Sequence, residues 1–140
     1  AGTTSSDLKD VACTGASACW AVGEFTGTSP SRRLVLRWNG TTWSPVVTAL
    51  PSGAGESTAN SVACGSPTSC VIAGGAVVSG ALRRMALRWN GTTWTAVNVP
   101  VPTGAVTSEL DGVSCLGATA CTSVGNFRIT DDHALVVRTT

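Results

Sequence analysis

The chain contains no tyrosine, one histidine, one methionine and two phenylalanines in 140 residues. Only 12% of it is charged, about half the usual share, and the net charge is +1. Such a chain has no basic field to hold a phosphate backbone, which excludes nucleic acid as a partner class. No apolar run approaches the roughly 20 residues needed to cross a bilayer as a helix. No basic start leads into an apolar h-region, so any signal peptide is expected to be gone already, and Ala1 fits either a mature N-terminus or an artificial boundary. Neither a G-x-S-x-G nucleophile elbow nor a phosphate loop occurs. What remains is rich in Gly, Ser, Thr, Val and Ala, a mixture suited to strands and turns. The length fits one compact unit, residues 1–140.

Self-similarity dominates the rest. Cys13 and Cys19, Cys64 and Cys70, and Cys115 and Cys121 form three pairs with five intervening residues each, and successive pairs are 51 residues apart. Val11, Val62 and Val113 precede them, and Gly23, Gly74 and Gly125 follow. Each copy then reaches an apolar segment ending in arginine: Leu34–Arg37, Met85–Arg88 and Leu135–Arg138. The heptapeptide RWNGTTW follows in two copies, at Arg37–Trp43 and Arg88–Trp94, and the third copy stops at Thr140.

Each copy reads as short strands bounded by Gly, Pro and Ser, with no 3.6-residue period. In the first these are DLKDVAC, CWAVGEF, RLVLRW and TTWSPVV. A 51-residue period holding about four strands has the dimension of a β-propeller blade. The expectation is an all-β chain of about three four-stranded blades, at 7–47, 57–98 and 109–140, the last without its final strand. A β-trefoil is the alternative. Asn39-Gly40 and Asn90-Gly91 are expected to close two-residue type I′ hairpins, with Trp38 and Trp43, and Trp89 and Trp94, flanking the turns.

Six paired cysteines in a short chain point to an oxidising compartment, hence a secreted or extracellular protein. Fifteen connectivities exist. The repeat selects Cys13–Cys19, Cys64–Cys70 and Cys115–Cys121, each across a hairpin. Zinc is the rival reading, but these spacings and the shortage of histidine do not favour it.

No acid occupies one repeat position in all three copies, and all cysteines are expected in bridges, so no paired carboxylates and no thiol nucleophile stand out. Asp131, Asp132 and His133 read as a polar loop before a strand. We expect no enzyme activity, no cofactor and no metal. The recurring arginines Arg37, Arg88 and Arg138, with Trp38 and Trp89, are the candidate ligand-binding residues. Arginine pairs with carboxylates or hydroxyls and stacks on aromatic rings. Arg32-Arg33 and Arg83-Arg84 read as a solvated basic ridge.

Three resemblances follow from these residues. N-G-T-T-W resembles a degenerate Asp-box, the S-x-D-x-G-x-T-W hairpin of sialidase-type propellers: Gly40, Thr42 and Trp43 match, as do Gly91, Thr93 and Trp94. That resemblance implies blade geometry and no activity. W-N-G-x-x-W is similar to the hairpins of small fucose-binding propeller lectins, whose inter-blade sites use arginine, glutamate and tryptophan. Arg37, Arg88, Trp38 and Trp89 would fill two of those roles, and the glutamate has no counterpart. The whole V-[AS]-C-x5-C … W-N-G-T-T-W pattern resembles repeats of secreted actinobacterial proteins. The resemblances imply a lectin-like, carbohydrate-binding module with a glycan ligand. Three blades cannot close a ring, so a homo-oligomer is expected, a dimer completing six blades. A structural or protein-interaction scaffold, or a fragment of a larger cell-surface propeller, is the alternative.

Overall fold

The computed structural model describes residues 5–26 and 31–139. Ala1 and Thr140 lie outside them. Eleven strands and no helix occur among the described residues, in three antiparallel sheets. Sheet one holds β1 (Ser5–Gly15), β2 (Ala18–Thr26), β3 (Arg32–Trp38) and β4 (Trp43–Pro45). Sheet two holds β5 (Ala54–Ser66), β6 (Ser69–Val78), β7 (Ala81–Trp89) and β8 (Trp94–Val97). Sheet three holds β9 (Thr107–Cys115), β10 (Cys121–Arg128) and β11 (Asp132–Thr139). Within each sheet neighbours in space are neighbours in sequence, the meander of a propeller blade. Each repeat makes its own sheet, and no strands are exchanged between repeats, which sets the β-trefoil aside.

The sheets stack face to face. β5 lies against β1, β2 and β3, and β9 lies against β5, β6 and β7. One core forms between sheets one and two: Trp20, Val22 and Val35 meet Ala59, Val62, Ile72, Leu87, Trp89 and Trp94. A second forms between sheets two and three: Ala73 and Ala86, flanked by Val97 and Val99, meet Leu110, Val113 and Leu135. The strand patterns follow from this stacking. β6 is covered on both faces, so SCVIAGGA is buried without a break. β10 has one free face and alternates, with Ser123 buried and Val124 exposed.

The glycines after each cysteine pair have a steric cause. A Cβ on Gly23 would lie 1.9 Å from the Asp7 carbonyl oxygen, on Gly74 2.1 Å from that of Thr58, and on Gly125 2.1 Å from that of Glu109. The register shifts close to these points in all three sheets, so a bulge in the inner strand carries its carbonyl over the glycine.

All six cysteines are bonded as the repeat predicts, Cys13–Cys19, Cys64–Cys70 and Cys115–Cys121. No free cysteine remains to ligate zinc. The partners are directly opposed in the ladders.

Two local expectations are corrected. The Asn-Gly hairpins are four-residue loops: Trp38 pairs Trp43 and Trp89 pairs Trp94. Gly40 and Gly91 have φ of 98° and 96°, but neither asparagine has positive φ. The Asn39 side-chain oxygen instead accepts from the N–H groups of Thr41 and Thr42, both at 2.9 Å, and Asn90 does the same for Thr92 and Thr93. An Asx turn thus replaces the type I′ geometry. The two-residue loop with both φ positive is Ser79-Gly80, at 52° and 78°, between Val78 and Ala81.

The second correction concerns the basic ridge. Arg33 is half-buried and Arg84 is buried, and each ties its sheet to the next. Arg33 donates from Nε to Thr48 Oγ1 at 2.6 Å, from Nη2 to the Thr48 and Ala49 carbonyls, and from Nη1 to Ser57 Oγ at 3.2 Å. Arg84 is buried, its main-chain N–H donating to Ser108 Oγ at 3.3 Å and its Nη2 to the Val99 carbonyl at 3.4 Å. Burial, and then the neighbouring Arg32 or Arg83 charge, lowers both guanidinium pKa values below the ordinary arginine value.

Candidate binding surface at the disulfide end

The disulfides, the NGTT loops and the strand-end arginines all lie at one end of the sheets, because Cys19 pairs Trp38 and Cys70 pairs Trp89. The segments that build this end are 13–20, 37–44, 64–71, 88–95 and 115–122, with Arg138 on β11. They contain Arg37, Arg88 and Arg138 and no carboxylate. All eight acids lie mid-strand or toward the opposite end. Asp10 accepts from Ser61 Oγ at 2.7 Å and from the Val62 N–H at 2.9 Å, Glu24 pairs Lys9 at 3.0 Å, and Glu109 accepts from Asn60 at 2.8 Å. The molecule is therefore polarised along its strand axis, with the disulfide end positive.

Arg37 is exposed, and its guanidinium carbon is 5.5 Å from the ring centroids of both Trp20 and Trp89. Trp20 is its cross-strand neighbour in sheet one, and Trp89 comes from sheet two, so this cation straddles a sheet junction. The rings are themselves packed, Trp20 to Trp89 at 4.9 Å and Trp20 to Trp94 at 5.0 Å edge-on. Such a bed orients the guanidinium and leaves its N–H fork for an anion. Arg88, half-buried, donates from Nη2 to the Ala118 carbonyl, in the loop between β9 and β10, at 3.4 Å. Arg138 is exposed, opposite Thr122.

The two candidate tryptophans differ. Trp89 is 5% exposed and belongs to the core between sheets one and two. Trp38 is half-buried, donates from Nε1 to the Ala16 carbonyl at 3.0 Å and lies 5.6 Å from Trp43. Trp43 is 43% exposed, and its repeat equivalent Trp94 only 4%. Trp43, with Leu8, Val11 and Leu36, borders an open depression of about 500 Å³ on the free face of sheet one.

Reading by sequence passed over Trp20, the floor beneath Arg37. Its signal was its place directly after the second cysteine, which puts it across from the strand-end arginine. Asp132 and His133 lie in β11 rather than in a loop, and the imidazole stacks on Phe127 at 5.1 Å. No group of three metal-ligating side chains occurs among the described residues. No helix of the described residues is long and apolar enough to cross a membrane.

No family model matches the chain, and no curated protein matches it. Among solved structures it is similar to the chain described as "YCF48 bound to D1 peptide", a β-propeller, with a TM-score of 0.57 and 16% sequence identity over 95% of its own length. It spans 40% of that chain's length. At this identity the likeness is one of fold, three successive blades of propeller type.

Proposed function

We propose that this is a secreted, non-enzymatic binding module whose disulfide end engages an acidic stretch of a protein partner. The observation that carries the reading is the end that bears Arg37, Arg88 and Arg138 and no acidic side chain, with Arg37 held over Trp20 and Trp89. A one-signed surface steers an oppositely charged partner and fixes its register. Three disulfides fit an oxidising compartment. In the similar solved structure YCF48 is bound to a peptide, which supports a peptide partner for a chain of similar fold. The test is titration of tryptophan fluorescence with peptides of matched length, one acidic and one neutral. The acidic peptide should bind, more weakly as salt rises, and Arg88→Ala with Arg138→Ala should lower its affinity at least tenfold, as expected for charge-assisted hydrogen bonds of about 1.5–3 kcal/mol each. Equal binding of both peptides, or an unchanged affinity in the double variant, would reject the reading.

A carbohydrate-binding reading rests on a different observation, the exposed Trp43 ring beside Trp38. A glycan array with wild type and Trp43→Ala tests it: binding lost with the ring supports a sugar platform, and no binding to any glycan rejects it. The homo-oligomer has its own support. Leu8, Val11 and Trp43 are exposed where their equivalents Ala59, Val62 and Trp94 are buried against a neighbouring sheet. Light scattering that reports a dimer would support a six-blade ring, and a monomer at high concentration would reject it.

A further inference from the structure

The two NGTT loops hold more than a turn requires. Asn39 and Asn90 are exposed, and each presents its side-chain amide to the main chain of its own loop. Two N–H groups converge on each amide oxygen: those of Thr41 and Thr42 on Asn39, both at 2.9 Å, and those of Thr92 and Thr93 on Asn90, at 2.9 and 2.8 Å. A pair of main-chain donors on one carbonyl oxygen stabilises the negative charge that grows there when a nucleophile adds to the carbonyl carbon. The nucleophile is next in the chain. The nitrogens of Gly40 and Gly91 have no hydrogen-bond partner among the described residues, and neither have the Nδ2 groups of Asn39 and Asn90. Glycine has no side chain to shield its nitrogen, and the loop demands it: φ is 98° and 96°, and a Cβ on Gly40 would lie 2.9 Å from that of Ser17.

The other three asparagines lack this arrangement. Asn60 lies in β5 and donates from Nδ2 to Glu109 Oε1 at 2.8 Å and to the Leu110 carbonyl at 3.0 Å. Asn126 lies in β10 and donates from Nδ2 to Asp111 Oδ2 at 3.2 Å. Ser61, Val99 and Phe127 follow Asn60, Asn98 and Asn126, so each next nitrogen stands beside a side chain.

We propose that Asn39 and Asn90 are sites of spontaneous deamidation, built by their own loops, that turn the arginine end toward neutrality. The Gly40 nitrogen bonds to Asn39 Cγ, the Cγ–Nδ2 bond breaks, and Nδ2 leaves as ammonia with the glycine proton, closing a five-membered succinimide. Gly91 does the same at Asn90. Water then opens the ring to aspartate or isoaspartate, and no other reactant is needed. The attack is intramolecular, so no second molecule has to be held in place for it. Aspartate keeps an oxygen for the same two N–H groups, so the loop survives. Its charge is added to an end that bears Arg37, Arg88 and Arg138 and no acidic side chain, so three positive charges less two negative ones leave one. An acidic partner is then held less tightly as the protein ages. That last step rests on the acidic-partner reading, whereas the chemistry at the two loops does not.

The test is to incubate the folded 140-residue chain at neutral pH and physiological temperature beside the free peptide RWNGTTW, and to map conversion in both by mass spectrometry over time. Asn39 and Asn90 should convert at least tenfold faster than Asn60, Asn98 and Asn126, and at least as fast as the peptide, which has no fixed pair of oxyanion donors. The double variant Asn39→Asp with Asn90→Asp, its fold checked by circular dichroism, should melt as the parent does and bind the acidic peptide at least tenfold more weakly. No conversion at either loop, equal rates at all five asparagines, or slower conversion in the folded chain than in the peptide would overturn the sites. A double variant that binds the acidic peptide as tightly as the parent would overturn their effect on binding. A parent that binds no acidic peptide would end the acidic-partner reading alone, and the conversion map would still decide the sites.

Discussion

The junction between sheets one and two and the junction between sheets two and three are built on one plan and filled differently. The first is aromatic: Trp20 packs on Trp89 and Trp94, and Arg37 caps the cluster. Its tying arginine, Arg33, finds acceptors for Nε and both terminal nitrogens. The second is built of small residues, Ala73 and Ala86, with Val99 facing Leu110 and Leu135. Its tying arginine, Arg84, leaves Nε and Nη1 buried without a partner, as is Ser123 Oγ. Equal repeat spacing therefore does not mean equal junction strength. The aromatic junction gains more buried area per residue and leaves one buried donor, Trp94 Nε1, without a partner, whereas the second leaves Arg84 Nε and Nη1 and Ser123 Oγ so.

The largest expected effect comes from one residue type in two settings. Trp94→Ala should cost about 3–5 kcal/mol in a denaturant melt, as for a large buried ring. Trp43→Ala, 51 positions earlier and half in water, should cost less than about 1 kcal/mol in a monomeric chain. Similar losses at both sites would mean that sheet one is covered in solution. The arginines come next. Arg33→Met should destabilise by about 1–3 kcal/mol, because its hydrogen bonds are well made and their acceptors would be stranded. Arg84→Met should be neutral or stabilising, because it replaces an incompletely bonded buried cation with an apolar chain of similar reach. Identical penalties would erase the distinction between the junctions. The smallest effect is expected at Ser123, fully buried at the position occupied by Ile72 in the second copy. Ser123→Ala should leave stability unchanged or raise it by about 1 kcal/mol. A loss above that would reveal a bonded hydroxyl and a tighter second junction.

Much of this fold was legible in the repeat. The cysteine pairing followed from equal spacing, and alternation bounded by Gly, Pro and Ser marked the strands. Legibility failed where a side chain or a neighbouring sheet overruled local preference. Asn39 and Asn90 spend their side chains on the N–H groups of the loop, so Asn-Gly made no type I′ turn. Arg33 and Arg84 carry the charge of a surface ridge, yet the segments connecting the sheets bring carbonyls to them and the next sheet brings serine hydroxyls. Of the candidate site, the recurring arginines were visible in the sequence. The Trp20 floor was not singled out, because pairing it with Arg37 requires the ladder register and bringing in Trp89 requires the sheet stacking.

Composition and spacing alone determined that the chain is all-β, thrice repeated and clipped three times by sulfur, since strand periodicity, glycine sterics and cysteine placement are local properties. Which copies of a residue are buried and which arginine is satisfied were decided only by the packing of one sheet on the next. The reason is that repeat-equivalent residues are chemically alike, and only an adjacent sheet, present on one side and absent on the other, makes their environments differ.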